Sequence, residues 1–192
     1  IEDAEPDTNY WEYMGDNYGD YTKTRMGAAG LTHTISPDSK SYLKTVISYS
    51  GNASNYKFYV MDSTSYKKNY ESYEDFSSSA LRLSVMYNRK LSAKLIAKTG
   101  FIFSKQYFDY YSLYYLDTAD VWVNDADGKG NTETYQGYIQ LKYKINDKFH
   151  INGGVHFLNL ALNGEYSVEP RFGMKWFLRN SQTISAGFGV HS

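Results

Sequence analysis

Hydrophobic and polar residues alternate along most of this chain, most clearly in residues 135–146. One set of alternate positions is mainly apolar: Tyr135, Gly137, Ile139, Leu141, Tyr143 and Ile145. The other set is mainly polar: Gln136, Tyr138, Gln140, Lys142, Lys144 and Asn146. Because successive side chains of a strand point to opposite sides of its sheet, this pattern predicts a strand with one apolar and one polar face.

The same alternation predicts further strands, about eight in all. They lie near residues 22–35, 40–51, 81–88, 95–103, 149–157, 168–178 and 184–191. The first is the weakest, because it contains small residues such as Gly27, Ala28, Ala29 and Gly30. The fold prediction is therefore all-β, with antiparallel transmembrane β-barrel strands arranged as about four hairpins.

The connections between these strands alternate in length. Short polar turns are predicted at residues 36–40, 88–90, 146–148 and 179–182. Long connections are expected at residues 51–78 and 104–132, with a shorter one near Asn163, although residues 91–115 have strand character throughout. Short periplasmic turns opposite long outer loops are typical of outer-membrane barrels.

Composition supports a sheet between two different solvents. Aromatic residues make up 18% of the chain, yet its mean hydropathy is −0.58. No stretch approaches the ~20 consecutive apolar residues of a membrane-spanning helix. The lack of cysteine excludes a disulfide scaffold, and the net charge of −1 gives no reason to expect nucleic acid as a partner. A soluble β-sandwich with its aromatics in the core remains an alternative.

The whole chain, residues 1–192, is interpreted as part of a larger barrel domain. Residues 1–21 are acidic and are expected to form an extracellular loop, and residues 22–192 to form strands and loops. The chain stops at His191–Ser192 on a rising strand, without a terminal aromatic residue. The polar positions contain no obvious set of side chains that would fill a narrow eight-stranded interior.

The segment YQGYIQLKYKINDKFHINGGVHFLNLALNGEYSVEPRFGMKWFL, residues 135–178, resembles the mid-barrel region of TonB-dependent receptors from Bacteroidetes. In that family, strands of the YQGYAQWKYR and SLEPRLGLKY types occur at the positions of residues 135–144 and 167–176. The resemblance extends through residues 185–192.

The resemblance implies an outer-membrane receptor that imports a nutrient of the siderophore, vitamin or glycan class. The implied partners are outer-membrane lipid, a plug domain and TonB, with a surface lipoprotein as a further candidate. An alternative is a self-contained small barrel that acts as an adhesin or binding protein.

Charged residues at the polar positions are candidates for the barrel lumen or for contact with a plug: Glu169, Arg171, Lys175, Arg82 and Lys142. A salt-bridge ladder that only solubilises the lumen is the alternative interpretation. Four tyrosines of the long outer connection are candidate ligand contacts: Tyr107, Tyr110, Tyr111 and Tyr114. Packing between extended hairpins would use the same side chains.

Signals for enzymatic or metal chemistry are weak. Residues 125–133 match a calcium loop only in part, because Gln136 stands where a bidentate glutamate is required. His150 and His156 share a strand face but stand about 20 Å apart along it, so they do not share a metal ion. The sequence therefore predicts no enzyme, no metal site and no cofactor.

Overall fold

A computed structural model describes residues 11–12, 16–179 and 181–190 of the chain. These residues form one antiparallel eight-stranded sheet, in which the strands follow one another in chain order. The strands are β1 (Tyr18–Asp38), β2 (Ser41–Met61), β3 (Lys68–Lys90), β4 (Leu95–Leu116), β5 (Val121–Lys144), β6 (Phe149–Leu160), β7 (Glu165–Phe177) and β8 (Thr183–Gly189). Within the described ranges, no helix has the length and apolar character needed to span a bilayer. The all-β fold prediction is confirmed.

The pairing register of strands β5 to β8 gives the sheet two chemically different faces. Ile139 pairs with Val155, which pairs in turn with Pro170. One residue away, Tyr138 pairs with His156, which pairs with Glu169. Because residues paired across antiparallel strands lie on the same side, the predicted apolar positions meet apolar positions across the strands. We call the Ile139 side the apolar face and the Tyr138 side the polar face.

The apolar face is exposed rather than packed into a core. Ile139 is 53% exposed, and Phe172 is 52% exposed. Among the described residues, Met61 is the sole buried hydrophobic side chain. A soluble sandwich would cover such a face with a second layer of side chains. The exposure therefore argues against the soluble alternative.

The strands are longer than the alternation predicts. The connections expected at residues 51–78 and 104–132 are mostly strand, with the chain reversing only between Met61 and Lys68 and between Leu116 and Val121. The partial calcium-loop match at residues 125–133 accordingly lies within β5, not in a loop. Hydrophobic alternation fades in these segments because tyrosine and polar residues occupy both faces, but tyrosine itself favours strands.

Two other boundaries also differ from the prediction. β1 begins at Tyr18 rather than near Thr22, so the expected loop at residues 1–21 ends early; residues 1–10 and 13–15 lie outside the described part of the chain. β3 continues through the turn predicted at 88–90, and the reversal occurs at residues 91–94. There Ser92 Oγ accepts hydrogen bonds from the Lys94 and Leu95 amides.

The described residues belong to two compact units. Unit 1 comprises Ile1–Gly27, Gly51–Ser79 and Tyr107–Gly130, and unit 2 comprises Ala28–Ser50, Ala80–Gln106 and Asn131–Ser192. Unit 2 contains all of β6, β7 and β8 and the two-faced part of β5. Unit 1 contains the β2–β3 and β4–β5 reversals.

The reversal between β2 and β3 depends on Asp62, whose carboxylate accepts hydrogen bonds from the Thr64 and Ser65 amides and the Ser65 hydroxyl. These bonds lower the pKa of Asp62 below its usual value, the Ser65 amide contributing most. A carboxylate with a depressed pKa stabilises the fold above its unfolded pKa and loses this contribution as the pH falls. We expect amide protection at Thr64 and Ser65 to weaken below about pH 4.

The Asp62→Asn variant tests this dependence. Its side chain carries no charge at any pH, so protection at both amides should be lower at neutral pH and nearly independent of pH. Hydrogen exchange across pH 3–7 measures both effects, and Asp127→Asn on β5 is the control for loss of one charge. Equal acid weakening in the Asp62→Asn and wild-type chains would contradict the assignment.

Candidate functional site

A buried carboxylate lies on the polar face of unit 2. Ser167, Glu169 and Arg171 are alternate residues of β7, so their side chains share one side of the sheet. Glu169 Oε2 accepts a hydrogen bond from Arg171 Nη2 at 2.6 Å and is 3.2 Å from His156 Nδ1. The Ser167 hydroxyl is 3.5 Å from the other carboxylate oxygen. Polar groups from β6 and β7 therefore surround the Glu169 carboxylate.

Burial makes these contacts necessary. Glu169 is only 5% exposed, whereas the Arg171 side chain is 49% exposed. A carboxylate withdrawn from water is stable when cations and N–H donors replace its hydration. Arg171 supplies the charge, and Glu169 in return positions the guanidinium, whose side chain remains about half exposed.

His156 joins this carboxylate to β5. Its Nε2 lies 3.3 Å from Gln136 Oε1. Each ring nitrogen of His156 therefore has an oxygen within hydrogen-bonding distance, one from Glu169 and one from Gln136. The polar contacts thus run from Gln136 through His156 to Glu169 and Arg171, across three adjacent strands.

A cavity of about 310 Å³ opens beside Arg171 and His156. Its polar lining consists of Tyr138, Gln140, Asn152, His156 and Arg171. Gly154 also lines the cavity and lets β5 and β6 approach closely there, since a Cβ at this position would lie 2.6 Å from the Ile139 carbonyl oxygen. The cavity therefore presents phenol, amide, imidazole and guanidinium groups to one partly open volume.

The charged residues that the alternation singled out all lie on the polar face. Lys142 pairs with Asn152 and Lys175 with His150, next to the cavity. Arg82 Nε donates to Ser104 Oγ at 3.1 Å, one strand further along. The structure brings Glu169 and Arg171 into contact but leaves Lys142 and Lys175 apart from them. Their role at a lumen or plug remains a prediction.

The four tyrosines predicted as loop contacts lie within β4 instead. Tyr107 and Tyr111 occupy one side of the strand, and Tyr110 and Tyr114 the other, so they do not form a single aromatic surface. The Tyr111 ring packs edge-on against Tyr73 at 6.5 Å, and the Tyr110 ring against Phe76 at 6.4 Å. Packing between hairpins thus involves Tyr110 and Tyr111, and the Tyr107 and Tyr114 side chains are 42% and 41% exposed.

A second cavity, of about 300 Å³, lies in unit 1 between Lys57, Tyr70, Tyr73 and Trp122. Lys57 Nζ is 5.8 Å from the centre of the Tyr70 ring and 5.7 Å from that of Tyr73. The Tyr73 hydroxyl accepts from Asn55 Nδ2 at 2.8 Å and donates to Asp75 at 3.1 Å. These contacts link the facing strands of the β2–β3 hairpin.

Sequence reasoning missed one ion pair on the apolar face. Lys105 Nζ contacts Glu133 Oε1 at 2.9 Å, and the Tyr135 hydroxyl donates to Glu133 Oε2 at 2.5 Å. The Phe103 and Tyr135 rings lie 5.3 Å apart beside it. Because the two charges come from different strands, only the pairing of β4 with β5 reveals them as partners. They mark the end of the uncharged part of this face.

No known protein-family model and no curated protein matches the sequence, but several solved structures share its fold. The RagAB peptide transporter matches 84% of this chain with a TM-score of 0.62 at 10% identity. The ferric-catecholate import receptor Fiu from E. coli K12 matches 88% of this chain with a TM-score of 0.60 at 10% identity. The ferric citrate transporter FecA matches 88% of this chain with a TM-score of 0.58 at 14% identity. The chain spans only 20%, 30% and 28% of these three structures. The likeness shows that the chain has the fold of a section of a receptor barrel.

Proposed function

We propose that this chain forms part of the barrel of a TonB-dependent receptor that imports a nutrient across the outer membrane. The observation that carries the proposal is the two-faced sheet, whose apolar face is exposed along β5 to β8 while charged residues collect on the other side. Such a sheet is stable where lipid covers one face and water or protein covers the other.

Aromatic residues bound the apolar face at both ends. One end carries Phe103, Tyr135, Phe157 and Tyr166, with the Phe157 and Tyr166 rings stacked at 6.3 Å. The other end carries Tyr143, Phe149 and Trp176, of which the last two are paired in register. Residues 135–143 make a segment of about nine residues, which is within the ~9–11 residues that a tilted membrane strand needs. These aromatics match the girdles expected at two membrane interfaces.

The polar face then borders the lumen, where Glu169 and Arg171 avoid lipid. A plug domain and TonB are the proposed partners, and a surface lipoprotein is a further one. The proposed cargo is a scarce nutrient of the siderophore, vitamin or glycan class. The related structures are described as handling a peptide, ferric catecholates, ferric citrate and copper, so a shared fold accommodates different cargoes. The proposed role is transport and includes no catalytic step.

Refolding tests the membrane assignment. We expect the chain to require detergent or lipid for solubility and to migrate differently on gels before and after heating. A sample that is monodisperse in water, with no heat-modifiable mobility, would overturn the proposal. Flanking sequence that encodes a plug and further strands would support a receptor, whereas eight strands that close alone into a stable barrel would favour the adhesin.

A further inference from the structure

Basic residues dominate the polar face of unit 2. Three contacts show which residues of neighbouring strands share this face. Arg82 donates to Ser104, the Tyr138 ring covers Gly100, and Tyr138 pairs with His156. Alternation then assigns the basic side chains of this face, which include Arg82, Lys98, Lys142, Lys144, Arg171 and Lys175. In the described parts of β3 to β8 within this unit, the polar face carries two carboxylates. They are Glu165, at the first residue of β7, and Glu169.

Glu169 does not cancel this excess for an approaching ligand. It is buried and hydrogen-bonded to Arg171, and His156 contacts the same carboxylate oxygen. Lys98 Nζ lies 5.7 Å from the centre of the Tyr138 ring, and Lys142 is in register with Asn152. Cations therefore flank the cavity beside Arg171, and a wall with one sign of charge concentrates ions of the opposite sign.

The cavity itself is rich in hydrogen-bond donors. The Arg171 side chain is 49% exposed, so part of its guanidinium is accessible to a solute. Gln140 and Asn152 add amide N–H groups, and Tyr138 adds a hydroxyl. Guanidinium and amide donors converging on one small volume match the geometry of a carboxylate or phosphate group.

We propose that this cavity is a binding subsite for a compact oxyanion, a carboxylate or phosphate group carried by a small solute. Arg171 is the principal contact, Gln140, Asn152 and Tyr138 complete the donor set, and Glu169 holds the guanidinium in place. The inference rests on the proposed function, in which this face borders the lumen. It extends that function by assigning an anionic cargo to the lumen.

Ligand-observed NMR on the complete chain in deuterated detergent tests the subsite. The probes are succinate, inorganic phosphate and the neutral diamide succinamide, at low ionic strength because salt screens exposed charges. We expect saturable binding of succinate or phosphate and none of succinamide. Arg171→Gln should weaken anion binding about tenfold or more, as expected for loss of a charge-assisted contact. Lys148→Gln removes the same charge from a turn and should leave anion binding unaltered.

A second variant covers the case in which Arg171→Gln fails to fold. Gln140→Glu puts a carboxylate into the cavity from an exposed position and should abolish anion binding, whereas Gln182→Glu in a turn should have no such effect. Equal binding of succinate and succinamide, or full anion binding by the Gln140→Glu variant, would overturn the subsite. Heat-modifiable mobility of the same samples reports the membrane fold separately, so failure of the subsite is distinguishable from failure of the proposed function.

Discussion

Ile139→Arg should lower the free energy of unfolding of the lipid-inserted chain by about 2–4 kcal/mol, the cost of a cation near the middle of a bilayer. Ile139 is central on the apolar face, paired with Val155, and more than half exposed. A guanidinium at this position has no carboxylate partner across the strand and must leave water when the sheet enters lipid. Equilibrium urea titration of the protein in phosphatidylcholine vesicles measures the change.

Gln140→Arg is the matched control, because the adjacent residue carries the same new side chain on the polar face. We expect this variant to lie within about 0.5 kcal/mol of the wild type, as exposed substitutions usually do. A comparable loss for both variants would mean that the two faces meet the same solvent. That outcome would refute the membrane orientation while leaving the strand order intact.

The faces of β5 to β8 were predictable from sequence because alternation needs only local information. Each of Ile139, Val155 and Phe172 was assigned to the apolar side, and the register places all three there. The extents of β2 to β5 were not predictable in this way. Around Tyr107–Tyr115 both sides of the strand carry tyrosine, so the apolar and polar positions no longer differ.

The site was only half predictable for the same reason. Glu169 and Arg171 are two residues apart on one strand, so their proximity follows from strand geometry alone. His156 and Gln136 come from two other strands, and their contact with Glu169 depends on a pairing register that turn lengths only constrain. Burial of Glu169 is likewise a property of several strands together, and no single segment of the sequence shows it.

Charge distribution connects the site with the sheet. Within unit 2, the apolar face of β5 to β8 carries Glu133 near one end, paired with Lys105, whereas the polar face holds Lys142, Arg171 and Lys175. Since a charge facing lipid is costly and a charge facing water is not, this asymmetry fixes the orientation of the sheet. Among the residues that the structure describes, it leaves Glu169 as the one deeply buried carboxylate, with Arg171 as its closest cationic partner.

Arg171→Met should therefore destabilise the folded chain by about 2–3 kcal/mol, less than a fully buried ion pair would lose because the guanidinium is half exposed. The substitution keeps most of the aliphatic stem but removes the 2.6 Å contact to Glu169 Oε2. The carboxylate then stays buried with His156 and Ser167 and without the guanidinium. Urea unfolding in detergent micelles, followed by tyrosine and tryptophan fluorescence, gives the free-energy change.

Lys175→Met separates loss of the ion pair from loss of a positive charge, since Lys175 lies on the same strand and the same face. Its Nζ is 5.0 Å from the Phe177 ring centre, so we expect a loss below about 1 kcal/mol. The double variant Glu169→Gln, Arg171→Met should recover more than half of the Arg171→Met loss, because a neutral amide costs less to bury than a carboxylate that has lost the guanidinium. No recovery would mean that Arg171 stabilises the sheet through its packing. The cost of burying Glu169 would then not depend on the charge of Arg171.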